Sequence, residues 1–348
     1  MTITMPTFPP GAIRTRAEIF KELGGGGQGG ICPSIEMKTI ILFSDLKSGE
    51  KYGYRDGWLR EEDQLGPVFE YTGMGAQDDQ KFKGNNKSVL QHAEDGRTLH
   101  LFIGHGKVPG TQTRTHRYIG AFEVAQDPPY TWRRARDERG HDRYVIVFRL
   151  RPISQFQRLE EDAYPLPTTT RVRRLFGRRR RPEGPQLPRE SQDRLSSAAR
   201  AAARMSNSLI TDLEHELAEQ QHQFGTLEIE ARGREGLLEA ALYDDTAHTV
   251  FEPASRTTHR EITDALMKLA DISRYLSAEH NGMPLRCMVL APDAPSDDIR
   301  DLLAHQGVGL LYRNESGALT ELPLDGHISP PSPRPTGFPC ADCPSLRN

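Results

Sequence analysis

Val68-Phe69-Glu70-Tyr71-Thr72-Gly73-Met74-Gly75 alternates apolar and polar residues from Phe69 to Thr72 and then breaks into two glycines around one methionine. A period of two ending in glycine predicts a half-buried strand running into a tight turn. The segments on either side repeat the signal. Thr39-Ile40-Ile41-Leu42-Phe43, Leu99-His100-Leu101-Phe102-Ile103, Tyr118 to Val124 and Tyr144 to Leu150 are all short, rich in β-branched and aromatic residues, and punctuated by Gly, Asp, Asn and Pro. The strands between Lys38 and Leu150 therefore predict one small curved sheet or barrel, the core of a β-rich domain over residues 31–160. Ahead of it, Arg14 to Leu23 reads as a short helix running into Gly24-Gly25-Gly26-Gly27-Gln28-Gly29-Gly30. No strand precedes that run and no Lys-Ser/Thr follows it, so it reads as a flexible loop rather than a phosphate-cradling one. Residues 1–30 form an N-terminal helix and loop.

The chain has 348 residues, enough for two ordinary domains and a linker. Its 45 Lys and Arg nearly balance 48 Asp and Glu, so a basic face has to come from local clustering. One such cluster is obvious. From about Pro165 the composition turns to Pro, Arg and Ala, with Arg173 and Arg174 followed by Arg178-Arg179-Arg180-Arg181. A stretch like this buries no core, and residues 161–205 are expected to be a disordered basic linker whose arginines contact nucleic-acid backbone. No apolar run approaches the roughly 18 residues of a membrane span, and the N-terminus lacks a leader pattern, so a cytoplasmic protein is expected. Four cysteines make no disulfide framework. Cys340 and Cys343 stand in a Pro/Ser-rich tail, residues 326–348, without a second ligand pair, and read as part of a disordered segment rather than a zinc site.

Beyond the linker the period changes. Leu209, Leu213 and Leu217 fall at helical spacing, as do Ile262, Leu266, Leu269, Ile272 and Leu276. Between and after these helices come strand-like runs at 225–229, 237–243, 249–252, 287–290 and 308–312, with a further helix from Ser296 to His305. The order α-β-β-β-α-β-α-β predicts a mixed α/β sheet with helices packed on it over residues 206–325.

The chemistry of the first domain rests on aromatics beside small polar residues at glycine turns: Asp56-Gly57-Trp58, Tyr71-Thr72-Gly73-Met74-Gly75, Asp79-Gln80 and Asn85-Asn86. A reader of a flipped base recovers the cost of extrusion by stacking the base and hydrogen-bonding its edge, and these residue types suit that work. Together with Leu42-Phe43-Ser44-Asp45, Gly53-Tyr54-Arg55-Asp56-Gly57-Trp58, Arg117-Tyr118-Ile119-Gly120 and Phe148-Arg149-Leu150, they resemble the SRA (SET and RING associated) domains. The resemblance is strongest to those of McrA-type modification-dependent endonucleases of actinomycetes, and it covers nearly the whole N-terminal domain. It implies a PUA/SRA-like barrel holding a flipped 5-methylcytosine, with Tyr71 and Trp58 as stacking walls and Thr72 hydrogen-bonded to the base, beside Gly73. Asp56 is the candidate for the cytosine amino group, since a carboxylate accepts from it; Glu62 or Asp63 could hold that role instead. The chain departs from the expected pattern at Gln64-Leu65-Gly66-Pro67, where an Asp-Gly pair is expected.

In the second domain, Asp244 and Glu252 sit on neighbouring strands a hairpin apart, and carboxylates so placed suit Mg²⁺-dependent phosphodiester hydrolysis. The segment resembles the PD-(D/E)xK restriction-nuclease fold, in a subgroup that reads Leu-Tyr-Asp, then Glu-Ala-Lys-Gly-Ser, then an Ala-Ile-Gly-Gln-Leu helix. The resemblance implies Asp244 and Glu252 as metal carboxylates, with Glu214 as an additional acid. Position 254, where that subgroup has lysine, is alanine, and Lys268 stands in place of the helix glutamine. Either Lys268 supplies the catalytic cation, or the site has decayed and the domain docks or dimerises.

The expected protein is thus a bacterial, nucleoid-associated reader of double-stranded DNA carrying modified cytosine, part of a restriction-type system. The first alternative is an active Mg²⁺-dependent endonuclease, for which a homodimer would supply two cuts. The second is a PUA-like protein-interaction module.

Overall fold

The computed structural model describes residues 5–27, 29–45, 49–60, 62, 64–126, 128–176 and 197–322. The chain divides into two compact units, one built on residues 5–171 with 229–238 and the other on residues 172–176, 199–228 and 239–322. Among the described residues no helix is long and apolar enough to cross a membrane.

The first unit runs β1 (Ile13–Thr15), α1 (Arg16–Leu23), β2 (Ile31–Ser34), β3 (Thr39–Ser44), β4 (Gly57–Trp58), β5 (Phe69–Thr72), α2 (Gly84–Leu90), β6 (Thr98–Lys107), β7 (Arg114–Val124), β8 (Tyr130–Arg136) and β9 (Asp142–Phe156). α1 starts where the sequence can cap it. The Thr15 hydroxyl accepts from the Glu18 amide while Glu18 accepts from the Thr15 amide, a reciprocal capping box.

These strands form one sheet in the order β2-β3-β6-β7-β9-β5-β4, with β1 added on β7 and β8 on β9. The path is open and branched, not the closed barrel expected. The cause lies in β9, whose fifteen residues pair with β8 over Asp142–Phe148, with β5 over Val147–Leu150 and with β7 from Leu150 onward. The continuous apolar run of β3 has a clear reason: the strand is buried on both faces and pairs in parallel with β6. Ile40 and Leu42 join the main core with Trp58, Phe69, Tyr71, Phe122 and Phe148, whereas Ile41 and Phe43 pack under α1 against Ile19 and Leu23.

This unit continues past residue 160, where the linker was expected to begin. The Tyr164 amide donates to the Trp58 carbonyl (2.8 Å), and Tyr164 packs with Leu59 and Val68. That approach explains Gly57, whose φ is +153°: a Cβ there would lie 2.6 Å from the Tyr164 backbone. Part of the glycine run is equally tied down, because Arg16 donates to the Gly29 carbonyl (3.0 Å) while its guanidinium lies 3.9 Å from the Phe43 ring centroid.

The second unit comprises β10 (Arg171–Phe176), α3 (Ser197–Glu219), β11 (Phe224–Glu230), β12 (Leu238–Asp244), β13 (Thr249–Pro253), α4 (His259–Ser273), the hairpin β14 (Glu279–His280) and β15 (Met283–Pro284), β16 (Arg286–Ala291), α5 (Asp297–Gln306), β17 (Gly309–Arg313) and β18 (Leu319–Glu321). Its main sheet has the order β10-β11-β12-β13-β16-β17-β18. β12 and β13 are antiparallel, while β13, β16 and β17 run parallel and are joined through α4 and α5, as parallel neighbours require. The helices cover opposite faces. The Leu209, Leu213 and Leu217 stripe of α3 packs on Leu242, Phe251, Met288 and Leu290, and the alternate residues of β13 face α4. At the N-terminal side of this unit the sequence expected linker, yet Arg173 and Arg174 lie in β10, and Arg174 pairs with Asp245 (3.4 Å). Arg178 to Arg181, and the tail with Cys340 and Cys343, lie outside the described residues.

Candidate functional site

The loop after β5 is held from several sides. The Gln80 amide group donates to the Gly73 carbonyl (2.7 Å) and accepts from the Ile146 amide (2.9 Å). Asn86 accepts from the Met74 amide (2.8 Å) and donates to the Met74 carbonyl (2.8 Å), and the Tyr54 hydroxyl and Arg143 both donate to the Gly75 carbonyl. A side chain at position 73 would collide with this bracing, since a Cβ there would be 2.9 Å from Asn86 Oδ1 and 3.0 Å from Gln80 Oε1. Gly73 is therefore needed for close approach, not for its torsion angles.

Behind the loop lies a buried polar corner. Asp56 is 6% exposed; it accepts from the Ser44 hydroxyl through Oδ2 (2.7 Å) and from the Thr72 amide through Oδ1 (2.8 Å). Burial raises its carboxyl above the usual aspartate value, against the opposing pull of those two donors. Tyr71 stands beside it, its hydroxyl donating to the Gly30 carbonyl (2.9 Å), and burial next to Asp56 pushes the phenol well up. The Thr72 hydroxyl is buried beside the Asp56 carboxyl, which it helps to stabilise, and has no other partner among the described residues. A buried carboxyl and a buried hydroxyl thus share one corner with an aromatic residue.

The expected residues divide accordingly. Asp56, Tyr71, Thr72 and Gly73 come together. Trp58, buried in the same core as Tyr71, packs its ring edge-on to Phe69 and at a tilt to Phe122 and Phe156. β4 pairs Trp58 with Phe69, which turns its side chain into the core. Glu62 is half exposed and paired with Arg158, away from the corner, and Asp63 lies outside the described residues. Ser44 and Tyr54 were missed as site residues. Their signal was present in Phe43-Ser44-Asp45 and Gly53-Tyr54-Arg55, but serine and tyrosine at strand ends have many ordinary uses.

The second constellation is split by strand register. Asp244 sits opposite Thr249 and Leu242 opposite Phe251, so Ala241 is the residue across from Glu252. Asp244 and Glu252 therefore point to opposite faces of the sheet, because side chains alternate along a strand. On the α3 face, Asp244 accepts from the Thr246 and Ala247 amides and pairs with His222 Nδ1 (2.7 Å), the work of a turn-fixing carboxylate. Glu214 belongs to α3, on that same side. On the α4 face, Lys268 Nζ lies 2.6 Å from Glu252 Oε1. Burial raises the Glu252 carboxyl, with the Lys268 ammonium acting in the opposite direction. Ala254, two residues along on the same face, is buried and adds no ligand. Among the described residues no group of three or more His, Cys, Asp or Glu is placed to hold a metal ion. A single carboxylate capped by a lysine does not fit a Mg²⁺ site.

Residues 10–173 match the family model described as the ScoMcrA-like SRA domain. Solved structures similar to the chain include the sulfur-binding and SRA domains of ScoMcrA complexed with phosphorothioated DNA, at 23% identity and a TM-score of 0.31 over 45% of this chain and 42% of that one. A second is the Type IV phosphorothioation-dependent restriction endonuclease ScoMcrA, at 22% identity and 0.31, over 45% and 28%. A third is the SUVH5 SRA domain with fully methylated CG DNA, at 20% identity and 0.31, over 46% and 99%. The chain thus spans 42% and 28% of the first two structures. No curated protein sequence matches the chain.

Proposed function

With residues 10–173 an SRA domain of the ScoMcrA type, we propose that the first unit binds double-stranded DNA carrying a modified cytosine, 5-methylcytosine in the first instance, and takes the extruded base at the Asp56 corner. The observation that carries this reading is the buried carboxylate fixed by Ser44 and Thr72. A cytosine edge offers an amino donor to that carboxylate, and the Thr72 hydroxyl stands beside the carboxylate. Tyr71 is the aromatic bordering the corner. The experiment is a binding titration at physiological salt with duplexes that differ only in cytosine methylation. A preference for the methylated duplex that Thr72→Ala reduces is expected; equal affinities would overturn the reading.

The second unit serves, in the same proposal, as a nuclease-like scaffold without cleavage activity, since Ala241 and Ala254 flank Glu252 where a metal site would need ligands. The competing enzymatic reading draws on the Lys268–Glu252 contact. Methylated plasmid incubated with the protein and Mg²⁺ or Mn²⁺ is expected to stay uncut. Cleavage that Glu252→Gln abolishes would establish the endonuclease instead.

A further inference from the structure

β6 and β7 extend beyond the sheet as a hairpin. β6 is buried from Thr98 to Ile103 and exposed from Gly104 to Lys107, and its return strand stays exposed until Thr115. The connection is shaped by its own bonds, Val108 N to Thr113 O (2.9 Å) and Thr111 N to Val108 O (3.0 Å). Its charge is one-sided. Between Asp95 and Glu123 the sequence contains no acidic residue, while it carries Arg97, Lys107, Arg114 and Arg117 with His100, His105 and His116. At the hairpin root lies a cleft of about 520 Å³ of mixed charge, where Lys107, Arg114 and Arg117 stand against Asp45, Glu161 and Asp162, so the cationic surface is that of the arm itself. His116 is 3% exposed and its Nδ1 has no partner among the described residues.

The root is also wired to the base-binding corner. Arg114 pairs with Asp45 (2.6 Å), the residue after Ser44, and the Ser44 hydroxyl donates to Asp56. Ser44 is in register with Ile103, the last buried residue of β6. The protruding cationic arm therefore begins beside the proposed base-binding corner.

We propose that the β6–β7 hairpin grips the sugar–phosphate backbone of the bound duplex, with Lys107 and Arg114 meeting phosphates. This rests on the DNA reading above and adds to it a sequence-independent contact. Exposed cations that neutralise phosphates release counterions, so each contributes about 0.9 to the slope of log affinity against log salt on duplex DNA.

The test uses the full chain, its Lys107→Gln and Arg114→Gln variants and the double variant, titrated at several salt concentrations with methylated and unmethylated duplexes of one sequence. The double variant is expected to weaken both duplexes by the same factor and to lower the salt slope by about 1–2. Unchanged affinity and slope would overturn the proposal, as would a loss confined to the methylated duplex, which would place the hairpin at the base. Lys107→Gln alone guards against a folding defect, because Lys107 is exposed and, among the described residues, bonds within the hairpin to Gln112. Failure of the modified-base reading would look different. The unaltered protein would bind both duplexes equally, and a reduced slope in the double variant would still support the hairpin grip.

Discussion

Replacing Asp56 by asparagine keeps the shape of the side chain and removes its charge. Both oxygens are engaged, by Ser44 and by the Thr72 amide. The amide can retain the bond from the Thr72 amide through its oxygen and donate to the Ser44 hydroxyl, which can accept, so the fold should lose little, about 1 kcal/mol or less. The functional loss is larger. A hydrogen bond to a charged group contributes about 1.5–3 kcal/mol, so the variant should lose about 10- to 150-fold of its affinity for the methylated duplex, the one whose cytosine is taken up. Fluorescence anisotropy with both duplexes, repeated from pH 8 to pH 4.5, measures this. Acid supplies a second signature. Because burial raises the Asp56 carboxyl, falling pH protonates it in the folded protein before it would in the unfolded chain. Stability linked to this group is present at low pH and lost as pH rises through the folded value, whereas its ability to accept from a base rises with pH. In the native protein preference should therefore decline with acid while this contribution to stability grows, and the asparagine variant should show neither trend. An asparagine variant that keeps the full preference, or that loses it with acid just as the native protein does, would refute the assignment of Asp56 as the base acceptor.

Trp58→Ala should destabilise the first unit by about 3–5 kcal/mol, read as a lower thermal midpoint. Trp58→Phe should preserve methylation preference, and a selective loss of binding in a fully stable Trp58→Phe protein would restore the residue as a stacking wall. Lys268→Met removes the cation beside a carboxylate already raised by burial. The Glu252 carboxyl should rise further, so that the second unit is weakened at neutral pH and recovers as pH falls. Chemical denaturation at pH 5 and pH 8 checks this, and an unchanged difference between the two pH values would show that the pair is not coupled.

Much of the fold was legible because its strands carry strong local signals. The run at 39–43 announced a strand, though not its burial on both faces, and the alternating helices and strands of the second unit came out in the right order. What escaped has a physical cause in each case. β8, Tyr130–Arg136, reads Tyr-Thr-Trp-Arg-Arg-Ala-Arg, too polar to look like sheet until Arg133 is seen paired with the buried Glu70 (2.6 Å). β10 hid in an arginine-rich segment whose composition suggested a linker. The corner residues Asp56, Tyr71 and Thr72 were visible through their motifs. The placement of Trp58 was not, since a tryptophan two residues from an aspartate shares its face only if both belong to regular strand, and β4 is two residues long and leaves Asp56 outside it. The separation of Asp244 from Glu252 depends on hairpin register, and a shift of one residue would have reversed it.

The bracing of the loop at Gly73–Gly75 by Gln80, Asn86, Tyr54 and Arg143 bears on the kinetics of recognition. A loop so fixed has little ordering left to undergo when DNA arrives, so the structural change of binding falls on the duplex, which has to open a base pair. Discrimination between bases would then reside mainly in how long the extruded nucleotide stays, while the rate of capture would follow how readily a given pair breathes. A cytosine in a mismatch would enter faster than one in a stable pair, and once inside would leave at the same rate.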